Sequence, residues 1–517
     1  MRMPTSRAPT IPPASVRPAN LRSTYHRPVR TISETGAAAA PGRPGPDPAA
    51  LRVASLDAVA PLDVAEAFRD LPGLALLESA RPGRTGRWSF LTADPVLVVD
   101  APAEGADPFA EARALLGRMA PDAPTSPDAP TSPDLPPFTG GLVGYLAYDL
   151  GRRFERLPSI AAVDQHLPVL RLALHDWVLA WDRHSGAAWL VGRSIDGDRM
   201  RLGSRLRDVL ARVDRLERGE IAASDHAPVA LPAALTSGTD RPTWMASVDA
   251  VRNAIGRGEI YQANLARRLT APFGGDPWPA FRRLRTGDPA LFAAYLDLGP
   301  SPATGAPRAL LSASPEPFLA IDGGGGVATD PIKGTRSRGW TRAEDRDLAR
   351  ELLASGKDQA ENVMIVDVLR NDLGRVCVPG TIRVPRLLRL ERTAAVQHLV
   401  TTVTGRLRPD LGPFDLLAAA FPGGSITGAP KIRSMEVIER LEPVRRGPYC
   451  GALAWIGPDG QMGSSILIRT FVADGERLTL HVGGGITWRS DPAAEWDETV
   501  AKARGPLSSI GAVEVPA

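Results

Sequence analysis

TWMASVDAVRNAIGRGEI (residues 243–260), followed by NLARRLTAPF (residues 264–273), reads as a helix running into a strand, and this pair sets the fold class. Strand-like and helical stretches continue from there to about Arg504. Turn-separated strands outnumber regular strand–helix–strand units, so the expected class is mixed α and β with antiparallel strands. Towards the N-terminus, LALLES (74–79), WSFLTADPVLVVD (88–100) and VLRLALHDWVLAWD (169–182) read as strands, and PFAEARALLGRM (108–119) has helical periodicity. GGLVGYLAYDLGRRFERLP (140–158) reads as a glycine-led turn, an apolar segment and a charged helical stretch.

Three Pro-rich or polar stretches divide the chain. Residues 1–48 form a basic head, with seven arginines against Glu34 and Asp47. Its prolines oppose the amphipathic helix of a transit peptide, so a disordered extension is expected. A Pro-rich insertion at 121–137, carrying the repeat DAPTSPDAPTSP, interrupts an N-terminal region over 49–221. Residues 222–240 read as a linker to a catalytic region over 241–510.

The 517 residues are 43% hydrophobic and 23% charged, with a net charge of +3 that the head accounts for. The near-neutral body gives no reason to expect nucleic acid. No apolar run approaches the roughly 20 residues of a membrane-spanning helix. Cys377 and Cys450 are far apart and form no CxxC pair, which fits a reducing, cytoplasmic compartment.

The chemistry begins at Lys333, between Ile332 and Gly334 in DPIKGTRSRG (330–339). A buried or cation-crowded amine loses its proton near neutral pH and becomes a nucleophile, and a flanking glycine admits a substrate close to the backbone. A solvated loop lysine is the alternative. Two acidic pairs, Asp358 with Glu361 and Glu495 with Glu498, have a spacing of three that puts each on one helix face. If the two helices face each other, the four carboxylates offer hard oxygens to Mg²⁺; otherwise they are solvated faces. GGSITGAPKIRSMEVIERLEP (423–443) is a glycine-rich loop entering a helix, a geometry that offers backbone N–H groups to an anion. It is not a phosphate-binding P-loop, because Ala429 and Pro430 separate Gly428 from Lys431. HVGGGIT (481–487) offers a second backbone cradle, and Arg469 can hold a carboxylate through both nitrogens. These elements describe a site for a small polyanion and its metal.

In this order the segments resemble the chorismate-utilising enzymes, the family of anthranilate, aminodeoxychorismate, isochorismate and salicylate synthases. The resemblance is densest through GEIYQANLARRL, SASPEPFL, DPIKGTRSRG, AENVMIVDVLRNDLGRV, VQHLVTTVTG, FPGGSITGAPKIRSMEVIE, YCGALAWIG, ILIRTF and GGGITWRSDPAAEWDET. It implies a large α+β fold of antiparallel sheets in a sandwich flanked by helices, with the two halves of the chain intertwined. It assigns Glu361 and Glu498 to Mg²⁺, with Asp358 and Glu495 in support, Asp358 acting through water. Substrate carboxylates fall to Tyr449, Arg469 and the backbone of Gly483, Gly484 and Gly485. Gly334 and Thr335 line the ring pocket, Gly428 and Lys502 belong to the substrate-binding set, and His398 stands beside the ring or packs as a hydrogen-bonded core histidine. Ser79, in LLES, matches the position where relatives bind tryptophan, as inhibitor or as structural ligand.

The lysine of PIKGT is similar to the aminodeoxychorismate branch, whereas anthranilate synthases resemble PIAGT there. Isochorismate and salicylate synthases place a water-activating lysine where this chain has Gln262. The resemblance therefore implies amination of chorismate at C4 to 4-amino-4-deoxychorismate, a precursor of 4-aminobenzoate and folate. Lys333 would attack C2 while Glu316 protonates the leaving C4 hydroxyl, or would instead steer ammonia electrostatically. Neither cysteine lies in a G-x-C-x-G context, so ammonia is expected from a separate glutamine amidotransferase subunit. The sequence ends soon after KARG, so no fused lyase is expected. The rivals are an anthranilate synthase large subunit and a catalytically silent ligand-binding homologue.

Overall fold

The helix expected at 243–260 forms over Arg241–Gly256, where the Asp240 side chain accepts from the Thr243 N–H at 2.9 Å and Pro242 occupies the first turn. Both residues are favoured at a helix start because the first N–H groups have no intrahelical partner. The strand that follows spans Gln262–Pro272. The computed structural model describes residues 33–34, 52–56, 60–81, 86–119, 135–220, 230–393 and 396–516. The head other than 33–34, the DAPTSPDAPTSP repeat and residues 222–229 of the linker lie outside the described residues.

The described strands form two sheets, of 14 and 10 strands. Their ladders are antiparallel except where Ala234–Ser237 runs parallel to Val513–Val515. In the middle of the first sheet, Ala75–Glu78 pairs with Phe292–Pro300 in the register Ala293↔Glu78. In the second, Gly141–Leu146 pairs with Ala452–Ile456. Strands from both halves of the sequence are therefore neighbours in both sheets.

WSFLTADPVLVVD does not form strands of a single sheet. Trp88–Thr92 joins the first sheet and Leu97–Ala101 the second, and the chain turns between them at Asp94, with φ +51°, before Pro95. The run 169–182 divides in the same way at Asp176, with Leu170–His175 in the second sheet and Trp177–Asp182 in the first. Such corners close a sandwich. The charged stretch expected to be helical becomes a short 3₁₀ turn, Tyr148–Arg153, after the strand Gly141–Leu146.

The main core lies between the sheets, where Leu142 and Leu172 of one meet Leu310 and Val472 of the other. A second core fills the space between the first sheet's outer face and the helices Arg199–Glu217, Trp278–Gly287 and Pro492–Ile510. Burial of apolar area on this scale supplies the main driving force for folding.

Candidate active site

The chain crosses between the sheets at two further points, and each crossing carries a polar residue into one cavity. Glu316 lies between Pro307–Ser314 of the first sheet and Pro317–Ile321 of the second. Arg469 lies between Met462–Ile466 of the second sheet and Thr470–Asp474 of the first. The crossings are tied together by a hydrogen bond from the Ile466 N–H to the Glu316 carbonyl, 3.1 Å. Arg469 has φ +50° and Cys450, which also lines the cavity, φ +60°. A left-handed backbone at a residue other than glycine costs on the order of 1–3 kcal/mol, and it persists here at the cavity wall.

The cavity, about 620 Å³, is lined by Lys333, Glu316, His398, Gly334, Thr335, Tyr449, Arg469, Gly483, Gly484, Gly485, Lys502, Asp358, Glu361, Glu495 and Glu498. Nearly all the residues expected at the site therefore share one space. Gly428 and Ser79 do not line it. Gly428, with φ +137°, pairs with Ala263, and a Cβ there would stand 2.2 Å from the Gln262 carbonyl, so it permits close backbone approach outside the cavity. The Ser79 hydroxyl donates to the Trp88 carbonyl at 2.8 Å. The helix Lys431–Leu441 also stays outside, and from its preceding loop only Ser425 and Ile426 reach the cavity. HVGGGIT, expected as a backbone cradle, brings Gly483, Gly484 and Gly485 to the cavity from a strand. All but Thr487 lies within the strand Arg477–Ile486, and a Cβ added at Gly484 would stand 3.4 Å from Glu495 Oε2 and 3.6 Å from Glu498 Oε1. A larger groove, about 920 Å³, lined by Tyr261, Val363, Met364 and Leu388, contains none of the expected residues.

Lys333 sits on the strand Ile332–Ser337, and its Nζ donates to the Ser425 carbonyl at 2.8 Å. Burial pushes this amine below the ordinary lysine range, although the nearby Glu316 and Glu361 oppose the shift. Burial pushes the Glu316 carboxyl up, opposed by Lys333 and by the Ser425 hydroxyl. Both shifts favour the uncharged forms, a free amine and a protonated acid. Gly334 has φ +87°, and a Cβ there would meet the Asp358 Cβ at 3.0 Å, so glycine is required. On the adjacent strand His398 shares a 2.9 Å hydrogen bond between Nδ1 and Thr335 Oγ1. Burial, reinforced by Arg81 and Arg469, holds its pKa down to about 4, so the ring is neutral.

The two acidic pairs lie on two helices that both reach the cavity. Asp358 and Glu361 are on Gly356–Gly374, whose cap is Ser355, and Glu495 and Glu498 are on Pro492–Ile510. Burial, then the neighbouring Asp358 and Glu495 charges, push Glu361 up, and its Oε1 is buried without a hydrogen-bond partner. Burial and Glu498 likewise raise Glu495. Glu498 differs, because burial is outweighed by Lys502, whose Nζ lies 2.7 Å away, and its pKa is lowered. Lys357 stands 3.9 Å from Glu361. Among the described residues no three such side chains already converge as a coordination shell. A buried carboxylate oxygen with no hydrogen bond, among mutually repelling acids, nevertheless fits a hard divalent cation, with the two lysines partly neutralising the set.

Several cavity residues were not singled out from the sequence. Lys357, Asn264, Arg446 and His481 line it, and so does Cys450, which its sequence context marks only as a thiol outside a nucleophile motif. Lys357 had a signal, lying four residues before Glu361 on the same helix face. The others are recognisable only by where the fold places them.

This chain belongs to the chorismate binding enzymes, whose family model matches residues 76–508. Among its relatives is aminodeoxychorismate synthase component 1 of Salmonella typhimurium, 42% identical over 366 residues, 71% of this chain and 76% of that protein. Anthranilate synthase component 1 of Streptomyces coelicolor is 37% identical over 463 residues, 86% of this chain and 84% of that one. The crystal structure of anthranilate synthase component I from Streptococcus pneumoniae superposes with a TM-score of 0.69 at 26% identity, over 82% of this chain and 93% of that one.

Proposed function

We propose that this protein aminates chorismate at C4, giving 4-amino-4-deoxychorismate, as the larger of two subunits. The observation that carries the reading is Lys333, whose amine shares one cavity with a buried acid, Glu316, and with the four carboxylates. Similarity to relatives named aminodeoxychorismate synthase component 1, at 40–43% identity, supports it.

In this mechanism the neutral Lys333 amine adds to C2 of the ring as the C4–O bond breaks, and Glu316 gives its proton to the departing hydroxyl. Ammonia then bonds to C4 as the C2–N bond breaks, which releases Lys333 as the neutral amine it began as, and the new C4 ammonium gives one proton to the Glu316 carboxylate, restoring the acid. Arg469 and Tyr449 hold one substrate carboxylate, and His398 bounds the ring. Glu361 and Glu498, backed by Asp358 and Glu495, would hold Mg²⁺. Bound there, the ion supplies positive charge to the other substrate carboxylate.

Cys377 and Cys450 are buried, and burial raises both thiols, Cys450 to about 11, so neither suits a glutaminase nucleophile. Ammonia therefore comes from a glutamine amidotransferase partner in a cytoplasmic complex. Among the described residues no helix is long and apolar enough to cross a membrane.

The test is to incubate the purified chain with chorismate, Mg²⁺ and ammonium and identify the product by mass spectrometry. Aminodeoxychorismate supports the reading. Anthranilate would move the chain to the branch of the Streptomyces relative, and no turnover with a partner present would favour a silent homologue.

A further inference from the structure

His481 lines the cavity yet takes no part in the mechanism above. It lies on the strand Arg477–Ile486 of the first sheet, paired with Arg268, and is 4% exposed. Its ring stacks on Tyr449, with centroids 4.9 Å apart and planes at 11°. Tyr449 is 6% exposed and precedes the strand Ala452–Ile456 of the second sheet, so the stack bridges the two sheets at the cavity wall. The Nε2 of His481 is buried without a hydrogen-bond partner. Its contact with Tyr449 is made through the ring face.

A second group lies beside the same phenol. The Arg446 guanidinium lies 4.5 Å from the centroid of Tyr148 and 5.9 Å from that of Tyr449. It is fixed by two hydrogen bonds to Glu442, of 2.9 and 2.6 Å, and by one to the Ile426 carbonyl at 3.1 Å. Burial, with the charges of Arg268 and Arg446 and against that of Asp164, keeps His481 well below the usual imidazole range, so the stacked ring is neutral. A neutral planar ring packs against an aromatic face without the desolvation cost of a buried cation.

We propose that His481 is a positioning residue, which, with Arg446, fixes the Tyr449 ring at the cavity wall, so that its hydroxyl, hydrogen-bonded to the Cys450 side chain here, needs only to turn to meet a substrate carboxylate. The inference rests on the reading of the cavity as a chorismate site. A free phenol would lose rotational entropy each time substrate bound, and the clamp imposes that cost once, on folding.

The experiment is titration calorimetry of chorismate with Mg²⁺ and no amine, on wild type, His481→Ala, His481→Gln and His481→Phe, each also in a Tyr449→Phe background. His481→Ala and His481→Gln should weaken binding about five-fold, and His481→Phe should stay within about two-fold of wild type, because an aromatic pair is restored. In the Tyr449→Phe background, His481→Ala should add no further loss. With ammonium present, KM should follow the binding loss while kcat stays within about two-fold. Wild-type affinity in His481→Ala or His481→Gln would overturn the proposal, as would a loss of equal size in the absence of the Tyr449 hydroxyl. The glutamine and phenylalanine variants keep the question answerable if alanine at this site fails to fold. Because binding is read without amine, anthranilate as the wild-type product would refute the proposed reaction and leave this comparison standing.

Discussion

The Nζ of Lys333 is held 2.8 Å from the backbone carbonyl of Ser425. A neutral amine that donates one hydrogen there has its lone pair directed elsewhere, and the cavity is what remains. A cation bound at the same place would act by charge alone. Lys333→Ala should lower turnover by about 10³-fold in either case. Lys333→Arg separates them, since guanidinium keeps the charge and is not a nucleophile. Activity as low as in the alanine variant supports bond formation, and recovery to within about ten-fold of wild type supports an electrostatic role.

The opposed shifts of Lys333 and Glu316 set a pH dependence. The amine must be deprotonated, so activity rises with pH through a pKa below the ordinary lysine value. The acid must be protonated, so activity falls again through a pKa above the ordinary glutamate value. Because the two groups interact, the limbs of the bell belong to the pair. Glu316→Gln should remove the alkaline limb and leave a rate that only rises with pH. A retained bell would show that another acid protonates the leaving group.

Neutralising Glu361 or Glu498 should weaken the dependence on divalent cation. For Glu361→Gln or Glu498→Gln, the Mg²⁺ concentration giving half-maximal activity should rise about ten-fold or more. Unchanged Mg²⁺ titrations in both variants would place the ion elsewhere.

His175 predicts acid sensitivity of the fold itself. Thr92 Oγ1 donates to the Trp177 carbonyl at 2.7 Å and lies 3.0 Å from His175 Nδ1, so Nδ1 carries the hydrogen. Nε2 is buried without a partner, and burial holds the pKa down to about 3. Between that value and about 6.5 the unfolded chain binds a proton that the folded one refuses. The contribution is complete above pH 6.5 and is lost as pH falls towards 3, at about 1.4 kcal/mol per pH unit. Urea unfolding at pH 7 and pH 4.5 should show this decline, and His175→Gln should reduce its slope.

Arg267 has a fully buried side chain, bonded to Glu514 at 2.6 and 3.0 Å and lying 4.2 Å from the centroid of Trp496. Glu514→Gln leaves that charge without its partner and should cost about 3–5 kcal/mol of stability, read from the urea midpoint. Replacing both residues, as in Arg267→Met with Glu514→Leu, should cost less.

Part of the cavity was legible by local rules, whereas Glu316, His398, Tyr449 and Lys502 were expected there only through the resemblance of their segments to the chorismate-utilising enzymes. The spacing of three in Asp358/Glu361 and Glu495/Glu498 survives folding, since a helix fixes which side chains share a face. What was not legible depends on the meeting of distant segments. Trp88–Thr92 and Leu97–Ala101 look alike along the chain, and only the corner at Asp94 and Pro95 sends them to different sheets. The glycines 483–485 were expected as a backbone cradle, and the ladder to Gln262–Pro272 shows that the backbone they offer is strand. His481 and Arg446 carry no local pattern at all. Their place beside Tyr449 exists only once the two sheets are stacked.

The interleaving of strands also bears on how the molecule can be dissected. A fragment beginning at residue 241 would lack both Ala75–Glu78 and Gly141–Leu146, and would expose the raw backbone edges of Phe292–Pro300 and Ala452–Ile456. Unpaired edges of that kind invite self-association. The half of the sequence that holds the chemistry therefore depends on the other half as a splint, and the two would be expected to work apart only if supplied together and allowed to zip into one another.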